Sequence, residues 1–302
     1  MQPAMQPALP PETCRGRLLR LLEASFRQLE RLRCAASSGL LQLAGKDNFR
    51  YLCRMIEIMG IMNLTPDSFF APSRVVADEA LSRAEKMVSE GASTIDIGAV
   101  STRPGASDVD VEQEWKRLAP ALSALAGKGF RISIDTTSSV IVKRCFDTLG
   151  DFIVNDISAG EDDPAMLETV GSLGLEYIAM HKRGNPRTMD SKCDYEGGVV
   201  AALKEYFEEF GRLAADAGIR DWVLDPGLGF AKTAEQNWEI LEQLPALKAL
   251  GKPVLIGAAD KRFTGGDTER AHRMALAGGA DILRVHNVPA AVKTVEEFLS
   301  PR

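Results

Sequence analysis

Cysteine and histidine are scarce in this chain, with five of the first and three of the second in 302 residues. The cysteines (Cys14, Cys34, Cys53, Cys145 and Cys193) are odd in number, scattered and without CxxC spacing. That pattern argues against a disulfide framework and a zinc site and fits reduced thiols. No run approaches the ~18 consecutive apolar residues of a membrane span. There is no G-x-G-x-x-G after a strand, no G-x-x-x-x-G-K-[ST], no H-E-x-x-H and no G-x-S-x-G elbow. The N-terminus lacks the basic-then-apolar order and the small-residue cleavage site of a secretory signal, so a cytoplasmic protein is expected. Excess positive charge is also missing. The net charge is −6, and the first 50 residues hold eight basic against four acidic, which leaves −10 for the remainder. A body that acidic is a poor general nucleic-acid binder, although a local basic anion site is compatible with it.

What is present describes a folded soluble chain, 45% apolar and 26% charged. Residues 1–12 are rich in Pro, Gln and Ala, and Leu19, Leu22, Phe26 and Leu29 then recur at helical spacing between Arg15 and Leu32. Residues 1–54 are therefore read as a partly helical N-terminal extension. From Ile56 a beat sets in of short apolar strand, polar loop and longer amphipathic helix. Strands are expected near Ile56–Met62, Thr94–Ile97, Arg131–Ile134, Phe152–Val154, Leu175–Met180, Trp222–Leu224, Pro253–Ile256 and Ile282–Val285. Helices are expected near Asp78–Glu90, Val111–Ala126, Ser138–Leu149, Pro164–Leu173, Gly197–Ala217, Thr233–Leu250, Thr268–Gly278 and Pro289–Leu299. Strands alternating with helices imply a parallel sheet. Eight such units over residues 55–302 match the size of a (β/α)8 TIM barrel, with a doubly wound sheet as the alternative.

The unusual residues fall at the strand ends. The strands run, in order, into Asn63, Asp96, Asp135, Asn155-Asp156, His181, Asp225-Pro-Gly227-Leu-Gly229-Phe230, Lys261-Arg262 and Arg284-Val-His286. One such Asp is unremarked, because aspartate often caps a following helix. Polar groups after all eight strands are another matter, since a barrel gathers those positions at its C-terminal mouth. Asn63, Thr102, Arg103, Arg284 and His286 suit an anion, because guanidinium offers phosphate a planar fork of donors. Asp135, Asn155, Asp225 and Lys261 suit a flat, nitrogen-rich ring, carboxylates accepting from ring N–H groups and lysine donating to ring acceptors. Gly227 and Gly229 allow a tight turn. His272 is expected on a helix surface, and His181 either shapes a loop or touches ligand.

These segments together resemble dihydropteroate synthase. The matching stretches are MGIMNLTPDSF (59–69), IDIGAVSTRPGAS (95–107), ISIDTTSS (132–139), VNDIS (154–158), MHKRGNPRTM (180–189), LDPGLGFAKT (224–233), Lys261 and LRVHNV (283–288), in the family's order. The resemblance implies joining 4-aminobenzoate to the methylene of 6-hydroxymethyl-dihydropterin diphosphate, with pyrophosphate released, in a homodimer that uses Mg2+. It implies that Asp135, Asn155, Asp225 and Lys261 bind the pterin, with Gly229 and Phe230 also among the substrate-binding residues. Asn63, Arg284 and His286 hold the diphosphate by the same carry-over, Asn63 also as metal ligand. Phe69 and the Thr102–Arg103–Pro104 segment belong to loops over the aminobenzoate pocket. Asp135, Lys261 and Arg284 are the implied catalytic residues. The chain departs from the family's pattern after Phe69, at Ala99-Val100 and Ser138, and at Asp260-Lys261-Arg262. The last departure suggests that Arg262 reaches the aminobenzoate carboxylate. A corrinoid-type methyltransferase barrel and a noncatalytic pterin-binding relative stay open at this point.

Overall fold

A computed structural model describes residues 56–64, 73–100, 109–185, 188–259 and 261–300. The N-terminal extension, Phe69, the Thr102–Arg103–Pro104 segment and Asp260 lie outside the described residues.

Eight strands alternate with helices. The strands are β1 (Glu57–Asn63), β2 (Thr94–Gly98), β3 (Ile132–Asp135), β4 (Ile153–Asp156), β5 (Glu176–Met180), β6 (Trp222–Asp225), β7 (Leu255–Ile256) and β8 (Ile282–Val285). Between and after them come α1 (Ser73–Ser89), α2 (Val111–Leu125), α3 (Ser139–Leu149), α4 (Met166–Leu173), α5 (Val199–Asp216), α6 (Ala234–Glu242), α7 (Leu244–Lys248), α8 (Thr268–Ala277) and α9 (Val288–Leu299). Every expected strand is found within one or two residues. The helix expected over 233–250 is instead two, because Pro245 cannot donate its backbone nitrogen and the chain restarts at Gln243.

All neighbouring strands pair in parallel, in the order β6-β5-β4-β3-β2-β1-β8-β7. A single bridge between Leu224 and Val254, with the Leu224 N–H donating to the Pro253 carbonyl at 3.0 Å, joins β6 to β7 and closes the barrel. The doubly wound alternative is thereby excluded.

Side chains alternate across a strand, so a closed sheet sorts each strand's residues into two cores. Ile58, Met62, Ile95, Ile97, Ile134 and Leu283 belong to the large outer core between sheet and helices. Met59, Ile153, Ile178, Val223, Leu255 and Ile282 form a separate cluster that fills the barrel. Two residues further along the same strands, on the same inward face, stand Asn155, Asp225 and Arg284. An apolar plug thus carries a polar layer directly above it, toward the mouth. Helix starts are fixed locally: Asp110 accepts from the Gln113 N–H at 2.8 Å, Asp267 from the Arg270 N–H at 3.0 Å, and Thr233 with Gln236 forms a reciprocal capping box. Among the described residues no helix is long and apolar enough to cross a membrane.

The outer layer is tightest where α4 meets the end of α5. A Cβ on Gly171 would lie 1.8 Å from the Ala217 carbonyl oxygen, and backbone cannot yield as a side chain does. Gly171→Ala is expected to cost about 3 kcal/mol or more, the upper end of overpacking penalties. Thermal melting should register this as a fall of several degrees, at ~2–4 °C per kcal/mol for a domain of this size.

Candidate active site

The mouth of the barrel is organised around Arg284 on β8. Its Nε donates to Asp96 Oδ2 at 2.7 Å, and its Nη2 donates to Asp135 Oδ2 at 2.7 Å. Asp96 is fully buried on β2 and also accepts from Ser133 Oγ at 2.6 Å and from Asn155 Nδ2 at 3.2 Å. Four strands are therefore tied through two side chains. Burial works against the charge of Arg284, but the carboxylates of Asp96 and Asp135 outweigh it and hold the guanidinium above its usual pKa. Burial raises Asp135 to about 7, with Arg284 opposing the rise and the Asp96 charge adding to it.

Asp225, at the end of β6, accepts the Gly227 N–H at 2.7 Å. Burial raises its pKa, while that hydrogen bond and the charges of Lys261 and Arg284 pull the other way. Lys261 follows β7 and places Nζ 4.4 Å over the Phe230 ring. A Cβ on Gly229 would meet Lys261 Cδ at 3.2 Å, so glycine is what lets the two segments close up. Asn63 ends β1, exposed, and a Cβ on Gly98 would have Asp135 Oδ2 at 3.6 Å and Asn63 Oδ1 at 3.7 Å as neighbours. His286 is exposed two residues beyond Arg284. The structure thus gathers Asn63, Asp135, Asn155, Asp225, Gly229, Phe230, Lys261 and Arg284 at one end of the barrel.

Some expectations fare differently. Arg262 has an 85% exposed side chain, and its guanidinium faces Asp190 Oδ2 at 3.8 Å rather than the carboxylate cluster. Asp156 turns away from Asn155, accepting from Tyr177 Oη at 2.6 Å and from the Ser158 and Gly160 N–H groups, so it shapes the turn after β4. His272 is buried on α8, not on its surface, and burial lowers its pKa to about 4. His181 is buried with Nδ1 3.0 Å from the Nζ of Lys232.

Two central residues carried no assigned role in the sequence reading. Asp96 had a readable signal, a charge on the inward face of the otherwise apolar strand Thr94-Ile-Asp-Ile. Lys232 had none, since a lysine before a helix-capping threonine looks like any solvated one.

No group of three or more His, Cys, Asp or Glu side chains is arranged to hold a metal ion among the described residues. A cavity of about 720 Å³ opens at the opposite end of the barrel, among Arg131, Glu176, Arg220, Trp222 and Lys252. Its Arg131 is tied between Glu57 at 2.6 Å and Glu176 at 2.7 Å. Convergent buried carboxylates and a guanidinium mark the mouth instead as the chemical end.

The family model for pterin binding enzymes matches residues 59–286. The chain is 41% identical over 249 residues to the dihydropteroate synthase of Synechocystis, an alignment covering 77% of this chain and 86% of the relative. It spans 30–54% of several longer relatives, among them bifunctional folate synthesis proteins. A dihydropteroate synthase from Yersinia pestis in a sulfonamide drug complex superposes with a TM-score of 0.74 at 31% identity, covering 82% of this chain and 94% of that one. The Thermus thermophilus dihydropteroate synthase in complex with 4-aminobenzoate gives 0.71 at 35% identity, with the same coverages.

Replacing Asp96 by leucine takes one of two carboxylates from Arg284 and the shared acceptor from Ser133 and Asn155, at an expected cost of about 3 kcal/mol, the lower end for breaking a buried pair. Arg131→Ala, at the partly exposed far end, should cost under about 1 kcal/mol. Urea unfolding of the two variants measures the contrast.

Proposed function

We propose that this chain, which belongs to the pterin-binding enzyme family and within it to the dihydropteroate synthases, joins 4-aminobenzoate to 6-hydroxymethyl-7,8-dihydropterin diphosphate. The products are 7,8-dihydropteroate and pyrophosphate, in folate synthesis. The observation that carries the reading is the convergence at the mouth of Arg284, clasped by Asp96 and Asp135, with the buried carboxylate of Asp225, which supports a ring side and an anion side that share Arg284.

On the ring side, Asp135 and Asp225 accept from the N–H groups of the pterin, Asn155 adds an amide, and Lys261 donates to a ring acceptor. Phe230 gives the ring an apolar surface. On the anion side Arg284 and His286 receive the diphosphate, the guanidinium as a charged fork. In the reaction the arylamine lone pair forms the new C–N bond at the pterin methylene. The C–O bond to the diphosphate breaks, its electron pair leaves on pyrophosphate, and the amine then loses a proton. Arg284 stabilises the charge growing on the leaving group, and the neighbouring carboxylates favour the positive charge growing on the ring side. Holding the amine in line supplies further acceleration. No protein nucleophile is needed.

Mg2+ fits this site as an ion brought in with the diphosphate. Asn63 offers an exposed neutral oxygen beside Asp135, and Mg2+ in phosphate sites is typically held by few protein ligands together with waters and substrate phosphates. When bound it would neutralise phosphate charge. The sulfonamide carried by the Yersinia pestis relative supports reading this protein as a sulfonamide target too. The scattered cysteines support a cytoplasmic location, and likeness to the family is the support for a homodimer. Arg262 meets the carboxylate of 4-aminobenzoate in this reading. An exposed guanidinium with a 3.8 Å carboxylate neighbour is available to an incoming anion.

Supplied with both substrates, the protein should release one pyrophosphate per dihydropteroate formed, and binding without release sinks the reading. Arg284→Ala should weaken inorganic pyrophosphate at least tenfold, the loss of a charged hydrogen bond of ~1.5–3 kcal/mol. Calorimetry on the same variant should find a phosphate-free pterin weakened less than pyrophosphate, since Asp135 loses its guanidinium partner while Asp225 and Lys261 stay in place. Arg262→Ser should raise the aminobenzoate KM roughly tenfold, about 1.4 kcal/mol, with the pterin diphosphate KM unmoved. An aminobenzoate KM within twofold removes Arg262 from the pocket.

A further inference from the structure

One buried charge at the mouth takes no part in the chemistry above. Lys232 lies just before α6, 8% exposed. Its ammonium donates to the carbonyls of Phe230 at 2.9 Å and Gly227 at 3.1 Å, and to His181 Nδ1 at 3.0 Å, with the His181 carbonyl further off at 3.5 Å. An ammonium has three donors, and here three close acceptors take them. None of these partners is a carboxylate. Burying a lysine against carbonyls and an imidazole is costly, and burial accordingly lowers its pKa to about 7, with Asp225 opposing and Arg183 and Lys261 adding to the fall. Burial and the adjoining charges of Lys232 and Arg183 lower His181 to about 2, so its ring is neutral and Nδ1 is the acceptor.

What the ammonium holds is the turn that follows β6. Gly227 has φ +67°, and a Cβ there would lie 2.1 Å from the His181 carbonyl oxygen, so the turn is pressed directly against the end of β5. The same Gly227 donates its N–H to Asp225. Phe230 carries Lys261 over its ring, and Gly229 touches the stem of Lys261. Two side chains of the ring site therefore lean on a turn that one ammonium ties together through the carbonyls of Gly227 and Phe230. Without that cation, the Gly227 carbonyl would keep only the Phe230 N–H, at 3.1 Å, and the Phe230 carbonyl would lose its ammonium donor.

We propose that Lys232 is a positioning residue of the ring site: it pins the Gly227–Phe230 turn to the end of β5 and thereby sets Asp225 and Lys261 for the pterin. The proposal rests on the ring site being a pterin site, which pyrophosphate release and pterin binding by the unaltered protein test separately.

The test compares the full-length protein with Lys232→Met, which keeps the stem and removes the donors, and Lys232→Gln, which keeps two donors and removes the charge. Calorimetry reads a phosphate-free 6-hydroxymethylpterin and inorganic pyrophosphate on each. Lys232→Met is expected to weaken the pterin at least tenfold while pyrophosphate stays within twofold, because Arg284 is anchored by Asp96 and Asp135 instead. Lys232→Gln is expected to fall between threefold and tenfold for the pterin, again with pyrophosphate held. If Lys232→Met does not fold, Lys232→Gln carries the test alone. The proposal is overturned if either folded variant binds the pterin within twofold of the unaltered protein, or if both ligands weaken equally. It is overturned too if neither variant folds, since the lysine then serves the fold and not the site. If the unaltered protein itself binds no pterin, it is the functional reading that fails.

Discussion

The clasp of Arg284 by Asp96 and Asp135 is the interaction on which the site depends. A polar layer inside a barrel is expensive, since each charge leaves water for a space lined by other strands. Here one guanidinium satisfies acceptors from β2 and β3, and Asp96 in turn satisfies donors from β3 and β4. Removing Asp96 leaves Ser133 Oγ and Asn155 Nδ2 without the acceptor they share, and removing Arg284 leaves Asp135 without its guanidinium. The arrangement is also short of positive charge. Asp135 pays for that imbalance, since burial and the charge of Asp96 raise its pKa and Arg284 only partly restores it.

The clasp is possible because the sheet separates two kinds of burial. The helices are held by an apolar outer core that could serve any chemistry, while the inner face carries an apolar plug with the polar layer above it. Stability and function are thus assigned to alternate residues of the same strands. On β4, Val154 packs outward, Asn155 turns to the mouth and Asp156 returns to brace a turn.

Much of this was legible in the sequence. Short apolar runs between loops mark all eight strands, and the residues after them converge at the mouth because a barrel leaves them nowhere else to go. The resemblance points to Asp135, Asn155, Asp225 and Arg284, which the structure gathers at the mouth. Where the structure departs from these expectations, periodicity outweighs polarity. His272 looks exposed as a histidine, yet it shares a helical face with Ala271, Ala275 and Leu276, all buried. Pro245 likewise divides the long apolar pattern over 233–250 into two helices. Lys232 was illegible in a stronger sense, because its partners are backbone carbonyls that exist only once the turn after β6 has formed.

The ladder around the barrel is not evenly stitched. Most neighbouring strands share a run of paired residues, whereas β6 and β7 meet at one bridge and β7 is two residues long. Asp225 and Lys261 follow the two sides of that seam. Their separation is therefore governed by the turns that carry them, not by hydrogen-bond register, and it can widen or narrow without unzipping any other pair of strands. The barrel has, in effect, a gusset between its sixth and seventh strands.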